Sequence, residues 1–300
     1  MLHRMNGRDG TRPMSSSYSY HVTDVFTDRA FGGNPLAIFP DAQGLTDGQM
    51  QAIAKELNLS ETTFVTPAAP GHFAVRIFTP GAELPFAGHP IIGTAIVLAS
   101  LGRTQGAAEI FLDLKVGPVR VVLNGPNAVF FRDGPPEFRP LSVSDADIAA
   151  IIGADALAEP AFQCGYGSAF IFAPLPSRAA VARAQLRLDL WRTIEDEVWG
   201  HGIYLYARTA PDAVHARLFA PALGVGEDPA TGSAAAGLIG ALPGAADATQ
   251  HITITQGVEM GRPSSILATA TRAAGLVQQI SIGGSAVLVA EGRFTRLPPT

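Results

Sequence analysis

The sequence predicts an α+β fold with two similar halves, each a sheet that encloses one long apolar helix. Two stretches, 83–95 and 227–239, share one build: an acidic residue and a proline, followed by Gly, Ser, Ala, Thr and aliphatic residues. A helix that is apolar all round is typical of burial inside surrounding structure. Several strand-like segments precede and follow each stretch, which favours α+β over a doubly wound parallel sheet.

The composition is that of a compact globular protein. The chain has 300 residues, a length that predicts about two domains, and 47% of them are hydrophobic. The net charge is −5 without any run of basic residues, which argues against nucleic acid as a partner. Cys164 is the only cysteine, so an internal disulfide is excluded, and the seven histidines lack the spacing of metal ligands. We therefore predict no metal site.

Residues 1–19 are predicted to be a flexible N-terminal extension. They include Arg4, Arg8, Arg12 and a run of serines, but no apolar core of the length that a signal peptide needs. The two apolar helices are too short and too rich in glycine to span a bilayer, so no membrane partner is expected. The cytoplasm is therefore the predicted location.

The first half is predicted to consist mainly of strands around one buried helix. Alternating residues predict strands at 20–26 and 36–39, with a Gly-Gly-Asn-Pro turn between them. Thr46 and Gln49 form a capping box, and helical spacing of apolar residues predicts a helix over 47–57. The remaining elements are strands at 61–65 and 72–78, the first apolar helix at 91–101, and strands at 109–114, 118–123 and 128–132.

The second half is predicted to repeat this arrangement after a Pro-rich crossing at 133–141. Ser144 is expected to cap a short helix through Ile151, and Asp228 to be the N-cap of the second apolar helix. The other predicted elements are a helical stretch over 177–194 and strands at 169–173, 202–208, 214–220, 251–256, 264–272, 276–282 and 286–290.

The starts of the two apolar helices are the first candidate for a functional site. The backbone N–H groups of a helix's first turn have no intrahelical partner and carry the positive end of the helix dipole. Two such ends that converge on one cleft would bind a carboxylate. The sequence therefore predicts a site for a small anion.

Several sequence blocks together match a known family. They are Asp24 to Phe26, Gly33 to Ala37, Leu57 to Phe64, Arg76 to Pro80, Glu83 to Ala95, Phe219 to Pro221, Glu227 to Ala234 and Gln256 to Ser264. Spread over residues 20–290, they resemble the phenazine-biosynthesis PhzF-like isomerase family, with the weakest match over 127–213. The resemblance implies the diaminopimelate-epimerase-like fold: two pseudo-symmetric lobes, each a curled, mostly antiparallel sheet around a central helix, with a cleft between them.

The same resemblance implies how the chain is divided and what it acts on. The N-terminal lobe would span 20–126, completed by 285–297, and the C-terminal lobe would span 127–284. Family members are typically homodimers and need neither a metal nor an organic cofactor. The best-understood member moves a proton within a cyclic dihydro-hydroxyanthranilate, which implies a small carboxylate-bearing metabolite as partner.

Six residues match the family's site. Glu61 corresponds to the general acid/base, and His89 and Asp228 correspond to the polar residues beside it. The remaining three match the helix-start positions that contact the substrate carboxylate: Gly88, Gly232 and Ser233.

These residues also have purely structural interpretations. Taken alone, Glu61 would be a solvated carboxylate, His89 a hydrogen-bonded histidine at a turn, and Asp228 a helix cap. Ser233 lacks the G-x-S-x-G elbow of a serine hydrolase. Three arginines in the matching blocks could clamp a carboxylate, although structural salt bridges are expected of each: Arg76, Arg217 and Arg262.

The sequence thus predicts a cofactor-independent isomerase that moves a proton on a small metabolite by general acid/base catalysis. Two alternatives stay open. One is a non-catalytic binding or scaffold protein that retains the fold, and the other is a dehydratase or racemase on the same fold. Two-thiol epimerisation is disfavoured, because Cys164 is alone and lies in neither helix start.

Overall fold

The computed structural model describes residues 17–299, which form seventeen strands and six α-helices. The strands are β1 (Tyr18–Val25), β2 (Asn34–Phe39), β3 (Glu61–Pro67), β4 (His72–Phe78), β5 (Glu83–Leu84), β6 (Glu109–Leu114), β7 (Gly117–Asn124), β8 (Asn127–Asp133), β9 (Glu137–Arg139), β10 (Phe162–Tyr166), β11 (Ser168–Pro174), β12 (Ile203–Ala210), β13 (Ala213–Ala220), β14 (Val225–Asp228), β15 (Thr249–Gln256), β16 (Ser264–Ala273) and β17 (Leu276–Phe294). The helices are α1 (Asp47–Leu57), α2 (Gly88–Ser100), α3 (Asp145–Ile151), α4 (Arg178–Arg183), α5 (Leu188–Trp191) and α6 (Gly232–Ala241). Within this part of the chain, no helix is both long and apolar enough to cross a membrane.

Eight strands form a closed barrel around α2. Neighbouring strands pair in the order β1, β2, β3, β4, β6, β7, β8 and β17, and the last strand returns to pair with β1. Helix α2 contacts strands on all sides of this ring. The barrel leaves only the last residue of the helix, Ser100, exposed, which explains why the helix is apolar nearly all round.

The second helix, α6, lies against a second group of strands. These strands pair in the order β9, β10, β11, β12, β13, β15, β16 and β17, so that the 19-residue β17 belongs to both groups. Most pairings in the described structure are antiparallel, and the mixed sheet with buried helices confirms the α+β prediction.

Both central helices belong to one hydrophobic core. Ile91 and Ile92 of α2 and Leu238 and Ile239 of α6 are all fully buried in it. Glycine allows the close approach: a Cβ atom built on Gly93 would lie 2.7 Å from the side chain of a neighbouring strand residue. Packing at this density tolerates little added volume.

The local predictions for the first half hold with small shifts. Thr46 and Gln49 form both hydrogen bonds of the capping box, and α1 spans the predicted range. Helix α2 begins three residues before the predicted 91, because Pro90 lies in the first turn, where no N–H is needed. Strand β1 begins at Tyr18, two residues inside the predicted extension, and residues 1–16 lie outside the described part of the chain.

The prediction of one helical stretch over 177–194 is wrong, because α4 and α5 are separate. Ala184 has an extended ψ of 143°. The guanidinium of Arg217 donates a hydrogen bond of 2.8 Å to the carbonyl oxygen of Ala184, and the amide of Gln185 donates to the carbonyl oxygen of Ile152, the C-cap residue of α3. Partners from other elements thus replace the intrahelical hydrogen bonds.

The last two predicted strands, 276–282 and 286–290, are one strand. Gly283 and Gly284 continue the extended backbone between them, and a Cβ atom on Gly284 would lie 2.5 Å from the ring of Phe26. The two glycines therefore do not interrupt the strand. They mark the place where other residues approach it closely.

Candidate active site

The first residues of α2 and α6 touch each other. A Cβ atom built on Gly88 would lie 2.8 Å from the Cα atom of Gly232 and 3.2 Å from the backbone nitrogen of Ser233. The reverse construction on Gly232 gives 3.1 Å to the Cα atom of Gly88. The two amino ends, predicted from the sequence to face one site, therefore meet directly.

Both helix starts lack a side-chain cap. The N-cap residues are Ala87 for α2 and Thr231 for α6, and neither accepts a hydrogen bond from the first turn of its helix. The first-turn amides of both helices consequently keep their capacity to bind an anion.

The six predicted site residues line one cavity of about 260 Å³. Ser168 and Phe170 of β11 also line it, and they come from the middle region whose sequence match is weakest. Leu84, Leu218 and Val225 give the cavity apolar walls. The sequence-predicted residues are thus brought together in a largely apolar pocket.

Glu61 and His89 face each other in this pocket. The distance from Glu61 Oε2 to His89 Nε2 is 3.1 Å, and the side chains are only 15% and 5% exposed. The angles are not those of a hydrogen bond, and neither atom has another hydrogen-bond partner. Neither atom is therefore engaged by another group of the protein.

Burial makes the neutral forms of both groups favourable. The pKa of Glu61 lies well above its usual value, first because burial disfavours the carboxylate and second because of the nearby Asp228 charge. Burial lowers the pKa of His89 to about 3, so the imidazole is neutral at physiological pH. Because the imidazole is neutral, the contact is not a charged salt bridge.

Asp228 is not the N-cap of α6, so that prediction is wrong. It is the last residue of β14 and pairs with Leu218 of β13, four residues before the helix begins. Its Oδ1 atom accepts a hydrogen bond of 2.8 Å from Asn34 Nδ2, and its Oδ2 atom accepts one from the Thr231 hydroxyl. The strand pairing keeps Asp228 outside the helix and at the cavity wall.

The pKa of Asp228 reflects opposing effects. Burial raises it to about 6, while the hydrogen bonds from Thr231 and Asn34 lower it and the charge of Glu227 raises it slightly further. Asp228 therefore titrates much closer to neutrality than an exposed aspartate does.

A buried network behind Asp228 was missed by the sequence reasoning. Gln256 Nε2 donates to the Asp228 carbonyl oxygen at 2.8 Å and to Thr231 Oγ1 at 3.0 Å, and Tyr204 donates to Gln256 Oε1. Asn34 and Gln256 lie inside sequence blocks that match the family, and this match was the one signal that could have identified them. Tyr204 had no signal beyond a strand pattern.

The three arginines form ion pairs inside the protein, as expected. Arg76 and Arg217 each bind a glutamate through two hydrogen bonds, to Glu83 and Glu227 respectively. Each of these glutamates precedes the first residue of α2 or α6 by the same five positions. Arg262 pairs with Asp24 and binds two backbone carbonyls. These arginines anchor the segments that lead into the site.

Cys164 is remote from the chemistry of this pocket. It is fully buried in the core, does not line the cavity, and lies beside Gly237 of α6. Burial raises the pKa of its thiol to about 12. A protonated, enclosed thiol is a poor base and nucleophile.

Named relatives resemble this chain over nearly its whole length. An uncharacterized isomerase of Mesorhizobium japonicum is 39% identical over 92% of this chain and 98% of its own. The trans-2,3-dihydro-3-hydroxyanthranilate isomerase of Pseudomonas chlororaphis is 36% identical over 92% of this chain and 98% of its own.

Solved structures share the fold. A phenazine biosynthesis protein of the PhzF family from Bacillus anthracis superposes with a TM-score of 0.84 at 24% identity, covering 93% of this chain and 99% of its own. A hydroxyproline epimerase from Agrobacterium vitis superposes with a TM-score of 0.62 at 12% identity, covering 94% and 92%. At these identities the likeness concerns the fold alone.

The fold and the relatives together define the protein as an isomerase. The family model of phenazine biosynthesis-like proteins, PhzC-PhzF, matches residues 23–292. The chain belongs to this family.

Proposed function

We propose that the protein isomerises a small carboxylate-bearing metabolite by moving a proton between carbon atoms, without a cofactor. Glu61 takes the proton from one carbon and returns it to another. His89 and Asp228 position and polarise the substrate. The substrate carboxylate is bound by backbone amides at the two helix starts: Gly88, Gly232 and Ser233.

The observation that carries this proposal is the arrangement of an unpaired, buried Glu61 beside the two uncapped helix starts. Glu61 and His89 both line the cavity, and Glu61 Oε2 and His89 Nε2 have no hydrogen-bond partner. The raised pKa makes the Glu61 carboxylate a stronger base toward a proton on carbon. A cavity of about 260 Å³ matches a small metabolite better than an extended one.

The first substrate to test is trans-2,3-dihydro-3-hydroxyanthranilate, because relatives that share more than a third of the sequence are named for its isomerisation. In D₂O, the wild type should incorporate deuterium at carbon while it forms product. Glu61→Gln should abolish both, because the amide cannot accept a proton from carbon, while binding of the compound remains. Glu56→Gln, on the exposed side of α1, is the matched control.

The result separates the proposal from its alternatives. Wild-type rates in Glu61→Gln would remove Glu61 from the mechanism. Binding without deuterium exchange, by the wild type and across a panel of cyclic carboxylic acids, would favour a non-catalytic binding protein. Loss of water from a substrate would favour a dehydratase.

A second candidate is a racemase or epimerase that uses two carboxyl groups instead of two thiols. Glu61 and Asp228 both line the cavity, and both have raised pKa values. Two such groups on opposite faces of a carbon could remove and return a proton with inversion. Inverted stereochemistry in the product, with no shifted double bond, would support this candidate over the first.

We also propose the organisation implied by the family. The N-terminal lobe would comprise 20–126 with 285–297, and the C-terminal lobe 127–284, with the substrate between them. Strand β8 would then belong to the second lobe, although it pairs with β7 in the barrel around α2. Pairing of β1 with the end of β17 supports the return of the C-terminal segment to the first lobe. Assembly as a homodimer and a cytoplasmic location complete the proposal, and light scattering and cell fractionation test them.

A further inference from the structure

Asn34 connects the barrel around α2 to Asp228, which lies 194 residues later in the chain. Its side chain is completely buried at the first position of β2. It does not line the cavity, so it would not touch a substrate. Any effect of Asn34 on the reaction would therefore act through Asp228.

The backbone at Asn34 is held from both sides. Gly33, the preceding residue, has a φ of +54°, and a Cβ atom there would lie 2.1 Å from the carbonyl oxygen of Val25. The guanidinium of Arg262 donates to the carbonyl oxygens of Gly33 at 2.8 Å and Gly32 at 2.7 Å. The backbone from which the Asn34 side chain extends is therefore held in place.

The amide orientation follows from its partners. Asn34 Nδ2 donates one hydrogen bond to Asp228 Oδ1 at 2.8 Å and a second to the carbonyl oxygen of Ala230 at 3.0 Å. Both partners can only accept when Asp228 is ionised, so the NH₂ group must face them. The Asn34 oxygen is left without a partner, which is a cost that the opposite orientation would not remove.

The second oxygen of Asp228 also meets a donor. Gln256 Nε2 donates to Thr231 Oγ1, so the Thr231 hydroxyl is free to give its single hydrogen to Asp228 Oδ2. Both carboxylate oxygens therefore accept hydrogen bonds from groups that are set up to donate. This arrangement favours the ionised form, because protonation of either oxygen would replace one of the hydrogen bonds that the carboxylate accepts.

The surrounding charges act in the opposite direction. Glu61 on β3, Glu227 on β14 and Tyr204 on β12 are the titratable groups coupled to Asp228. None of them is a cation, and the charge of Glu227 is matched by Arg217. The hydrogen bonds are therefore what favours a carboxylate at this buried position.

We propose that Asn34 is a positioning residue for the isomerase reaction, whose amide keeps Asp228 ionised and oriented toward the cavity. This inference rests on the proposed function in one respect: it takes Asp228 to have a role in the proposed reaction. The chemical state of Asp228 itself can be measured without any substrate.

The test is a carbon-13 NMR titration of aspartate carboxyl groups in the full-length protein, with the Asp228 signal identified by its loss in Asp228→Asn. Asn34→Leu removes the donor at similar volume and should raise the pKa of Asp228 by about one pH unit, since a hydrogen bond to a charged group contributes roughly that much. Gln163→Leu is the matched control: it removes another buried amide, which bonds to Pro140 and Trp199 and not to the site.

A second variant covers the case in which Asn34→Leu does not fold. Asn34→Asp keeps the shape and places two carboxyl groups together, so the pair should titrate in two separate steps, one of them above the wild-type value. An unchanged Asp228 titration in a folded variant of either kind would overturn the inference. It would not affect the proposed function, whose test is turnover by Glu61→Gln.

Discussion

The Cα atom of Gly232 lies 2.8 Å from the place where a side chain on Gly88 would begin. The amino ends of α2 and α6 thus meet at two residues that have no side chain, and their free amides surround the same space. Two converging helix dipoles strengthen the preference for an anion beyond that of one helix. The contact places the first-turn amides of the two buried helices around one space, where they can bind an anion.

Gly88→Ala should therefore impair both stability and activity. The new methyl group would meet backbone atoms, which cannot rotate away, so the free energy of unfolding should fall by about 1 to 3 kcal/mol. Turnover should fall at least about tenfold through displaced amides. Gly226→Ala, an exposed glycine with no atom within 4 Å of the new methyl, is the control for urea unfolding and turnover. Wild-type turnover in Gly88→Ala would contradict the role of this contact.

The stability of the protein should depend on Asp228 and on pH. Its folded pKa of about 6 is above the usual value of about 3.9, so the native state binds more protons than the unfolded state. The contribution of Asp228 is fully present below about pH 4 and is lost as pH rises through about 6. Compared with the wild type, Asp228→Asn should gain about 2 kcal/mol of stability between pH values of about 4 and about 6.

Guanidinium unfolding at both pH values measures this difference. Asp212→Asn, on an exposed turn, serves as the control and should show no such gain. An Asp228→Asn variant with the same pH dependence as the wild type would mean that Asp228 titrates normally in the folded protein.

Arg217→Met should be strongly destabilising. The Arg217 side chain is 10% exposed. Its guanidinium binds Glu227 through two hydrogen bonds and donates to three carbonyl oxygens at the end of α4. Its removal would leave a largely buried carboxylate unpaired, at a cost of about 3 to 5 kcal/mol in urea unfolding. Arg187→Met removes an exposed pair with Asp189 and should leave the unfolding midpoint unchanged. Equal effects of the two substitutions would contradict the structural role of Arg217.

Cys164 should be dispensable for catalysis. Cys164→Ala should keep turnover within about twofold of wild type, because the thiol is buried away from the cavity. In the native wild type, a maleimide should label Cys164 only after unfolding, since its pKa is raised to about 12. Rapid labelling of the native protein, or an inactive alanine variant, would reopen a thiol mechanism.

The sequence by itself determined most of the local structure. The capping box of α1, the Ser144 cap of α3 and the alternation of most strands depend only on residues a few positions apart. Composition made α2 and α6 recognisable as buried helices, because an all-apolar helix has no stable place on a surface. The family blocks also selected Glu61, His89 and Asp228, which the fold brings to one cavity.

The tertiary structure decided what depends on distant partners. The break between α4 and α5 exists because Arg217, which lies in strand β13, binds the carbonyl oxygens that a continuous helix would use. Asp228 is held by Asn34 across 194 residues, and the Gly88–Gly232 contact joins residues 144 positions apart. Such interactions form only when the chain has folded, and no local pattern specifies them. Burial in the same way raises the pKa of Glu61 and lowers that of His89, since it is the surrounding protein that removes water from the two groups.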